Sequence, residues 1–465
     1  MSIDPETFQV SIEKLSPRGY GIAYVERPQG KPIEVEIAHT LPGDHIHMEM
    51  RRKMRPPRKG RLLDVIEPSS TRVEPRCSHA RVCGGCCWQQ MDYAAQLTTK
   101  QALVSRLFDL PIKPIIPCDE PFAYRNKMEF SFSENRAGQK FLGLMIAQAE
   151  PYVFNVDHCH LCKPWFSDVL GAVRKWWDQS GVLAYHPARD TGLLRYLTLR
   201  DSVHTGQKMA VLNLSNRSEL SEEDFFQKFH VEFVRAVQEA ALGEEISIFL
   251  RIHEANRGKP TEFREVHLAG PDHIMEELHL LGRKLSFKIS PSSFFQPNTL
   301  QAEKLYSAAL SHLADLSSPI IYDLYCGTGT LGMVASMMAS QVVGIELSSQ
   351  AVQDAKENAE RNGIEKISFH QGDVGKILTE LMGRSSFQRP DVVIVDPPRA
   401  GLDPLALHHL KTLRPKAILY ISCNPLTQAA NVQELLEAGY TLRSLQPVDQ
   451  FPHTYHIENI AYLER

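Results

Sequence analysis

The chain has 465 residues, 43% of them hydrophobic and 23% charged, with 51 Lys+Arg against 55 Asp+Glu for a net charge of −4. That length and balance fit a globular chain of two to four units and exclude disordered, collagen-like and fibrous classes. No apolar run reaches membrane-spanning length and the opening MSIDPETF is polar, so neither a membrane span nor a secretory signal is expected. Nine cysteines then suggest a reducing, cytoplasmic setting, where clustered thiols bind metal or do chemistry.

Residues 6–67 alternate in Phe8–Ile12 and Ile33–Ile37 and are punctuated by Pro-Gly turns, which predicts five short strands closing into a small β-barrel. The loop Arg51–Arg61 carries seven cations in eleven residues and no acid, a phosphate-binding composition. From Cys77 to Cys162 the chain is cysteine-rich. A mixed α+β stretch follows to about residue 282, with helices expected over 166–177 and 225–241 and strands over 194–200, 209–214 and 247–251. From Ser290 onward short βα units alternate, which predicts a parallel, doubly wound sheet. Its strands are expected at 320–325, 342–346, 367–370, 392–396 and 417–422, with a closing pair at 440–446 and 457–463. The expected units are 1–70, 71–285 and 286–465.

Asp323-Leu324-Tyr325-Cys326-Gly327-Thr328-Gly329 follows an apolar run and opens a helix. Glycines there let the backbone approach a ligand at a helix N-terminus. The acid before the turn, Asp323, would repel phosphates and suits a cationic or amino-acid ligand. Glu346, ending the next strand, can accept ribose hydroxyls, and Asp373 falls at the following strand end. The shape resembles the first motif of S-adenosylmethionine-dependent methyltransferases.

Asp396-Pro397-Pro398-Arg399 ends a strand in a rigid loop, as in amino-group methyltransferases. Ser422-Cys423-Asn424-Pro425 places a thiol at the carboxyl edge of the sheet, where ligands bind; a buried apolar cysteine is the bland alternative. The tail Phe451–Ile460 offers Glu458 with two imidazoles, His453 and His456. Upstream, Phe294-Phe295-Gln296-Pro297-Asn298 precedes a helix, and Phe122–Phe130 mixes cations with aromatics as base-stacking surfaces do. Cys77, Cys83 and Cys86 form C-x5-C-x2-C, with Cys159 and Cys162 later; spacing alone slightly favours zinc over an iron–sulfur cluster.

Together these motifs resemble the RNA 5-methyluridine methyltransferase family, in its branch with an N-terminal TRAM domain and a [4Fe–4S] cluster, such as 23S ribosomal RNA uracil-5 methyltransferases. The resemblance implies a Rossmann-like methyltransferase domain, a TRAM barrel and an iron–sulfur α+β domain between them. It implies that Gln296, Tyr325, Glu346 and Asp396 contact S-adenosylmethionine, with Asp323, Gly327 and Asp373 around it. It implies Cys423 as nucleophile, Glu458 as base, and a cluster on Cys77, Cys83, Cys86 and Cys159, with Cys162 the main rival for the fourth place and Cys87 a lesser one. RNA, most simply ribosomal, is the expected partner, with no membrane and no obligate protein partner. Transfer RNA methylation and a non-catalytic RNA-binding or folding role are alternatives. A radical methylthiotransferase would need C-x3-C-x2-C. An amino-group methyltransferase would need neither Cys423 nor Glu458.

Overall fold

The computed structural model describes residues 6–26, 30–50, 57–149, 151–216, 229–254 and 262–465. The cations Arg51, Arg52, Lys53 and Arg55, and the first four residues of the helix expected over 225–241, lie outside them.

The first sheet holds six strands rather than five, in the order Glu6–Ser11, His45–Met50, Arg58–Glu67, Ile33–Ile37, Gly21–Val25, Lys14–Leu15. Its two edge strands are separated by two residues, and those residues bond both ways: Ile12 N–H donates to the Asp44 carbonyl and Glu13 N–H to the Ile22 carbonyl. One stretch of chain thus supplies both edges, which is why a strand count from alternation falls one short. Inside sit Ile12, Ala23, Val35, Ile37, Ile46 and Met48, all nearly inaccessible.

A seven-stranded sheet follows, ordered Glu262–Ala269, Ile246–Glu254, Lys208–Ser215, Leu194–Asp201, Lys127–Glu134, Lys140–Met145, Val153–Asn155. Helices Trp165–Ser180 and His230–Ala240 pack together on it, burying Phe166, Val169, Val173, Trp177, Phe233 and Val237. The stretch Phe122–Phe130 is not the aromatic surface its composition suggests: Tyr124 and Phe130 are buried, and Met128, Phe130 and Phe132 alternate inward as a strand.

The hairpin Ile274–Leu280/Arg283–Ile289 spans residue 285 and shares a core with the helix Thr299–Leu310 through Leu278, Phe287, Ala302 and Leu305. Beyond it lies a second seven-stranded sheet, ordered Ile367–Gln371, Gln341–Glu346, Ile320–Leu324, Val392–Val395, Ala417–Ser422, Glu458–Glu464, Thr441–Val448. The first five strands are parallel and Glu458–Glu464 runs antiparallel between its neighbours. Val392–Val395 and Ala417–Ser422 are buried along their whole length, as strands covered on both faces must be. The helices that follow are started by short polar side chains: Ser348, Asp373, Asp403 and Asn424 each accept a backbone N–H of the first turn, and Pro404 and Pro425 open theirs with φ preset.

Candidate active site

Every strand-end residue singled out in the sequence lies along the carboxyl edge of this last sheet. After Leu324 the chain turns sharply: Tyr325 takes φ 63°, Gly327 φ 55° and Gly329 φ 75°. Left-handed geometry is free for glycine and strained for tyrosine, and such strain persists where the surroundings fix it. Here the Tyr325 hydroxyl donates to the Asp403 carboxylate at 2.8 Å, and Cys326 N–H donates to the Ile345 carbonyl. A side chain at Gly329 would strike the Phe369 ring at 2.8 Å, whereas one at Gly327 would meet nothing within 4 Å; the turn opens toward free space at Gly327. The Glu346 carboxylate accepts N–H bonds from Gly327 (3.0 Å) and Ser348 (2.8 Å), so the acid is fixed beside the opening.

Asp323 is 1% exposed, and its Oδ2 has no partner among the described residues. Burial, with Asp396 and Glu346 near, pushes its carboxyl up to about 8. Burial likewise brings Asp396 up to about 7 and raises Glu458 well above the carboxylate range, with Asp396 reinforcing it. Acids so crowded are short of positive charge, and a cationic ligand in their midst would let them ionise. Gln296 is 8% exposed and accepts a long bond from Gln450 (3.5 Å). Asp373 is exposed and uses its carboxylate to cap the helix Val374–Met382 through the Lys376 N–H.

Cys423 and Glu458 come from opposite strands. Ser422 pairs with Asn459, the last pair of that ladder; Cys423 and Glu458 are the next residues out, near enough for the Glu458 carboxylate to act on the thiol. Cys423 is part-exposed, and its thiol is raised by burial and by Glu458 and Asp396; the nearby Arg399 guanidinium opposes that rise. Arg399 is itself held by His456 Nδ1 at 3.0 Å, and burial with that guanidinium takes His456 down to about 4, leaving a neutral acceptor. Arg399 was visible in the sequence as part of its tetrad, but its partnership with a cysteine 24 positions later was not. Tyr306, buried near Asp396, Glu458 and Gln296, had no sequence signal beyond an ordinary apolar helix face. Cys326 is buried behind the turn beside Asp323, not at the reacting edge.

Far along the chain, Cys77, Cys83, Cys86 and Cys159 line one cavity of about 390 Å³, with Arg125, Lys127 and Phe294 on its walls. Cys162 is 3% exposed, its thiol donating to the Cys159 carbonyl (3.5 Å) in the core under the central sheet; it does not line that cavity. Cys87 packs with Trp88 and Leu41 instead. Among the described residues no three His, Cys, Asp or Glu side chains stand close enough to hold a single metal ion. A zinc ion binds sulfur at about 2.3 Å and needs such closeness; an iron–sulfur cluster is a larger body gripped from outside by thiolates.

Comparison with known proteins agrees with this geometry. Residues 262–465 match the model of the tRNA (uracil-5-)-methyltransferase family. An uncharacterized RNA methyltransferase of Protochlamydia amoebophila is 44% identical over 442 residues, 92% of this chain and 99% of that protein. Another from Caldanaerobacter subterraneus is 34% identical over 99% of each chain. Among solved structures, the Pyrococcus abyssi tRNA (uracil-54, C5)-methyltransferase in complex with S-adenosyl-L-homocysteine shares the fold with a TM-score of 0.71 at 24% identity, covering 98% of this chain and all of that one. By kinship over nearly its whole length with these relatives, the chain belongs to the family of RNA methyltransferases.

Proposed function

We propose that this chain methylates carbon 5 of one uridine in RNA, most simply 23S ribosomal RNA, through a covalent bond between Cys423 and the uracil. The observation that carries the reading is that Cys423 and Glu458 each lie one residue beyond the Ser422–Asn459 pair of two antiparallel strands, near enough for the Glu458 carboxylate to raise the thiol, with the Arg399 guanidinium near enough to oppose it. S-adenosylmethionine supplies the methyl group as an electrophilic sulfonium. Asp323 with its unpartnered oxygen, the opening at Gly327, and Glu346, Asp396, Gln296, Tyr325 and Asp373 around them are the residues that would hold it.

Carbon 5 of uracil is a weak nucleophile. The Cys423 thiolate adds to carbon 6, the electrons of the C5–C6 double bond move into an enolate, and carbon 5 becomes nucleophilic. Arg399 holds the thiolate for that step. Once carbon 5 carries the methyl group, Glu458 takes its proton; the C–H electrons re-form the C5–C6 double bond and expel the thiolate. Glu458 must be ionised to accept that proton, and Arg399 favours its charged form.

The four thiols Cys77, Cys83, Cys86 and Cys159 are read as holders of a [4Fe–4S] cluster that orders the central region rather than doing redox work. The first sheet is read as a TRAM barrel, the units as 1–70, 71–285 and 286–465, and the setting as cytoplasmic. Transfer RNA is the second reading of the substrate, because the family model and the Pyrococcus neighbour both carry it in their names. Mapping 5-methyluridine in ribosomal and transfer RNA from cells with and without the protein decides between them. Unchanged 5-methyluridine in both would sink the proposal.

A further inference from the structure

Asp449 directly follows Val448, which is the strand partner of Glu458. Residues 449–457 therefore leave one strand and return as the strand that begins at Glu458. That connection is gripped from outside its own sheet. From the helix Tyr93–Ser105, Lys100 Nζ donates to Asp449 Oδ1 at 2.5 Å and to the Phe451 carbonyl at 3.0 Å, with both charged side chains fully buried. The Tyr93 hydroxyl donates to Asp449 Oδ2 at 2.8 Å. Gln96 accepts the His453 N–H at 2.8 Å, and Trp88 N–H donates to the His453 carbonyl at 3.0 Å. His453 is held at φ 65°, a strained turn for a residue with a side chain.

A buried ion pair is weak evidence for stability, since desolvating two charges offsets most of their attraction and apolar replacements often serve as well. What an apolar pair does not do is fix a backbone carbonyl and a carboxylate in one geometry. Lys100 does both, on the connection that ends at Glu458. We infer that Lys100 is a positioning residue for the base: with Asp449 it sets the angle of the 449–457 connection, and so governs proton removal and release of the RNA rather than methyl transfer. The inference rests on the proposed roles of Cys423 and Glu458. Cys423 itself lies outside this connection, at the end of Ala417–Ser422, and the connection reaches its thiol only at second hand, through His456 on Arg399.

The test uses the full chain and RNA carrying a [5-³H]uridine at the target, with ¹⁴C-methyl donor. Methyl incorporation and tritium release are timed separately in a single turnover. In Lys100→Met, incorporation is expected to stay near wild type while tritium release falls about tenfold or more, as for a displaced general base, and a methylated protein–RNA adduct accumulates. A merely structural role lowers both rates together, with a fall in active-site titre by S-adenosylmethionine binding; that result, or no change in either rate, overturns the inference. If Lys100→Met leaves Asp449 unpaired and does not fold, Lys100→Met/Asp449→Leu removes both charges and is read in the same way. Tyr93→Phe, which removes one hydroxyl from the same carboxylate, carries the test if neither folds. Should Glu458→Gln itself give no adduct, the proposed role of Glu458 has failed instead, and the two failures are distinct.

Discussion

At the reacting edge, Asp323, Glu346, Asp396 and Cys423 each lie within one residue of the end of a parallel strand, and the ladder of the sheet fixes where they point. Around the thiols there is little such ladder. Cys83 makes an isolated bridge to Ile146, Cys77 lies in a loop, and Cys159 follows the short strand Val153–Asn155. One region carries its geometry in the backbone and can lose a side chain without losing shape. The other gathers its side chains on turns, where the proposed cluster would hold them together. Substitutions at the edge should therefore stop chemistry and spare the fold, and substitutions at the thiols should do the reverse.

The largest effect is expected at Cys423. Cys423→Ala should bind S-adenosylmethionine normally yet form neither product nor adduct, with turnover below about a ten-thousandth of wild type, as for loss of a nucleophile. Full turnover would refute covalent catalysis and restore the amino-group reading. Glu458→Gln comes next: turnover should fall by roughly 10²–10⁴, while a methylated covalent adduct builds up on denaturing gels. Fast turnover without adduct would move the base elsewhere, to His453 or His456.

At the thiols the expected loss is of fold and iron. Anaerobically purified protein should be brown with about four irons per chain, and Cys77→Ser, Cys83→Ser, Cys86→Ser and Cys159→Ser should each lose iron and thermal stability. Cys162→Ser should keep its iron. Stoichiometric zinc in anaerobic protein would overturn the assignment, and thiol variants that keep both fold and iron would erase the contrast between the two regions.

A smaller effect sharpens the edge. The Cys423 thiol is raised by burial and neighbouring acids and held down by Arg399, so thiolate, and with it adduct formation on 5-fluorouridine RNA, should increase with pH through the thiol's titration. Arg399→Leu removes the opposing charge. Its profile should shift to higher pH, with slower trapping at a given pH below the thiol's pKa. An unshifted profile would leave Arg399 without a role on the thiol. Smallest is the effect of neutralising Arg51, Arg52, Lys53 and Arg55 together. RNA binding should weaken and its log–log salt slope flatten by about 0.7–0.9 for each phosphate no longer neutralised, with no change in the uridine chosen.

The middle of the C-terminal sheet was legible because its central strands are buried on both faces and read as unbroken apolar runs between turn residues; the strands expected at 320–325, 392–396 and 417–422 lie within one residue of those observed. The central sheet was half legible. Lys127–Glu134 alternates Met128, Phe130, Phe132 inward against Glu129, Ser131 and Ser133, but its cations and aromatics drew a binding-surface reading instead. Glu262–Ala269 is exposed or half-exposed along its length and carries no clear period. The candidate acids and thiol were picked out by position at strand ends, and the structure places them there. Arg399 on Cys423, Tyr325 on Asp403 and Lys100 on Asp449 were not, because each joins residues whose proximity is a product of the fold and leaves no spacing to read.

Lys100 and Asp449 are 349 positions apart, and Gly19, whose added side chain would strike Tyr455, is further still. Closing so long a loop costs entropy that grows with the logarithm of its length, and contacts of wide separation form late in folding. The strands from Ile320 to Glu464 need no partner outside their own stretch to pair. Refolding chains are therefore expected to recover S-adenosylmethionine binding first, trapping of 5-fluorouridine RNA second, and turnover last, when the helix Tyr93–Ser105 docks. Recovery of all three in one phase would show that the halves fold as a unit. If Cys423 and Glu458 act as proposed, the thiol would precede its base until docking is complete, and a half-assembled chain would be a snare that takes up RNA and does not let it go.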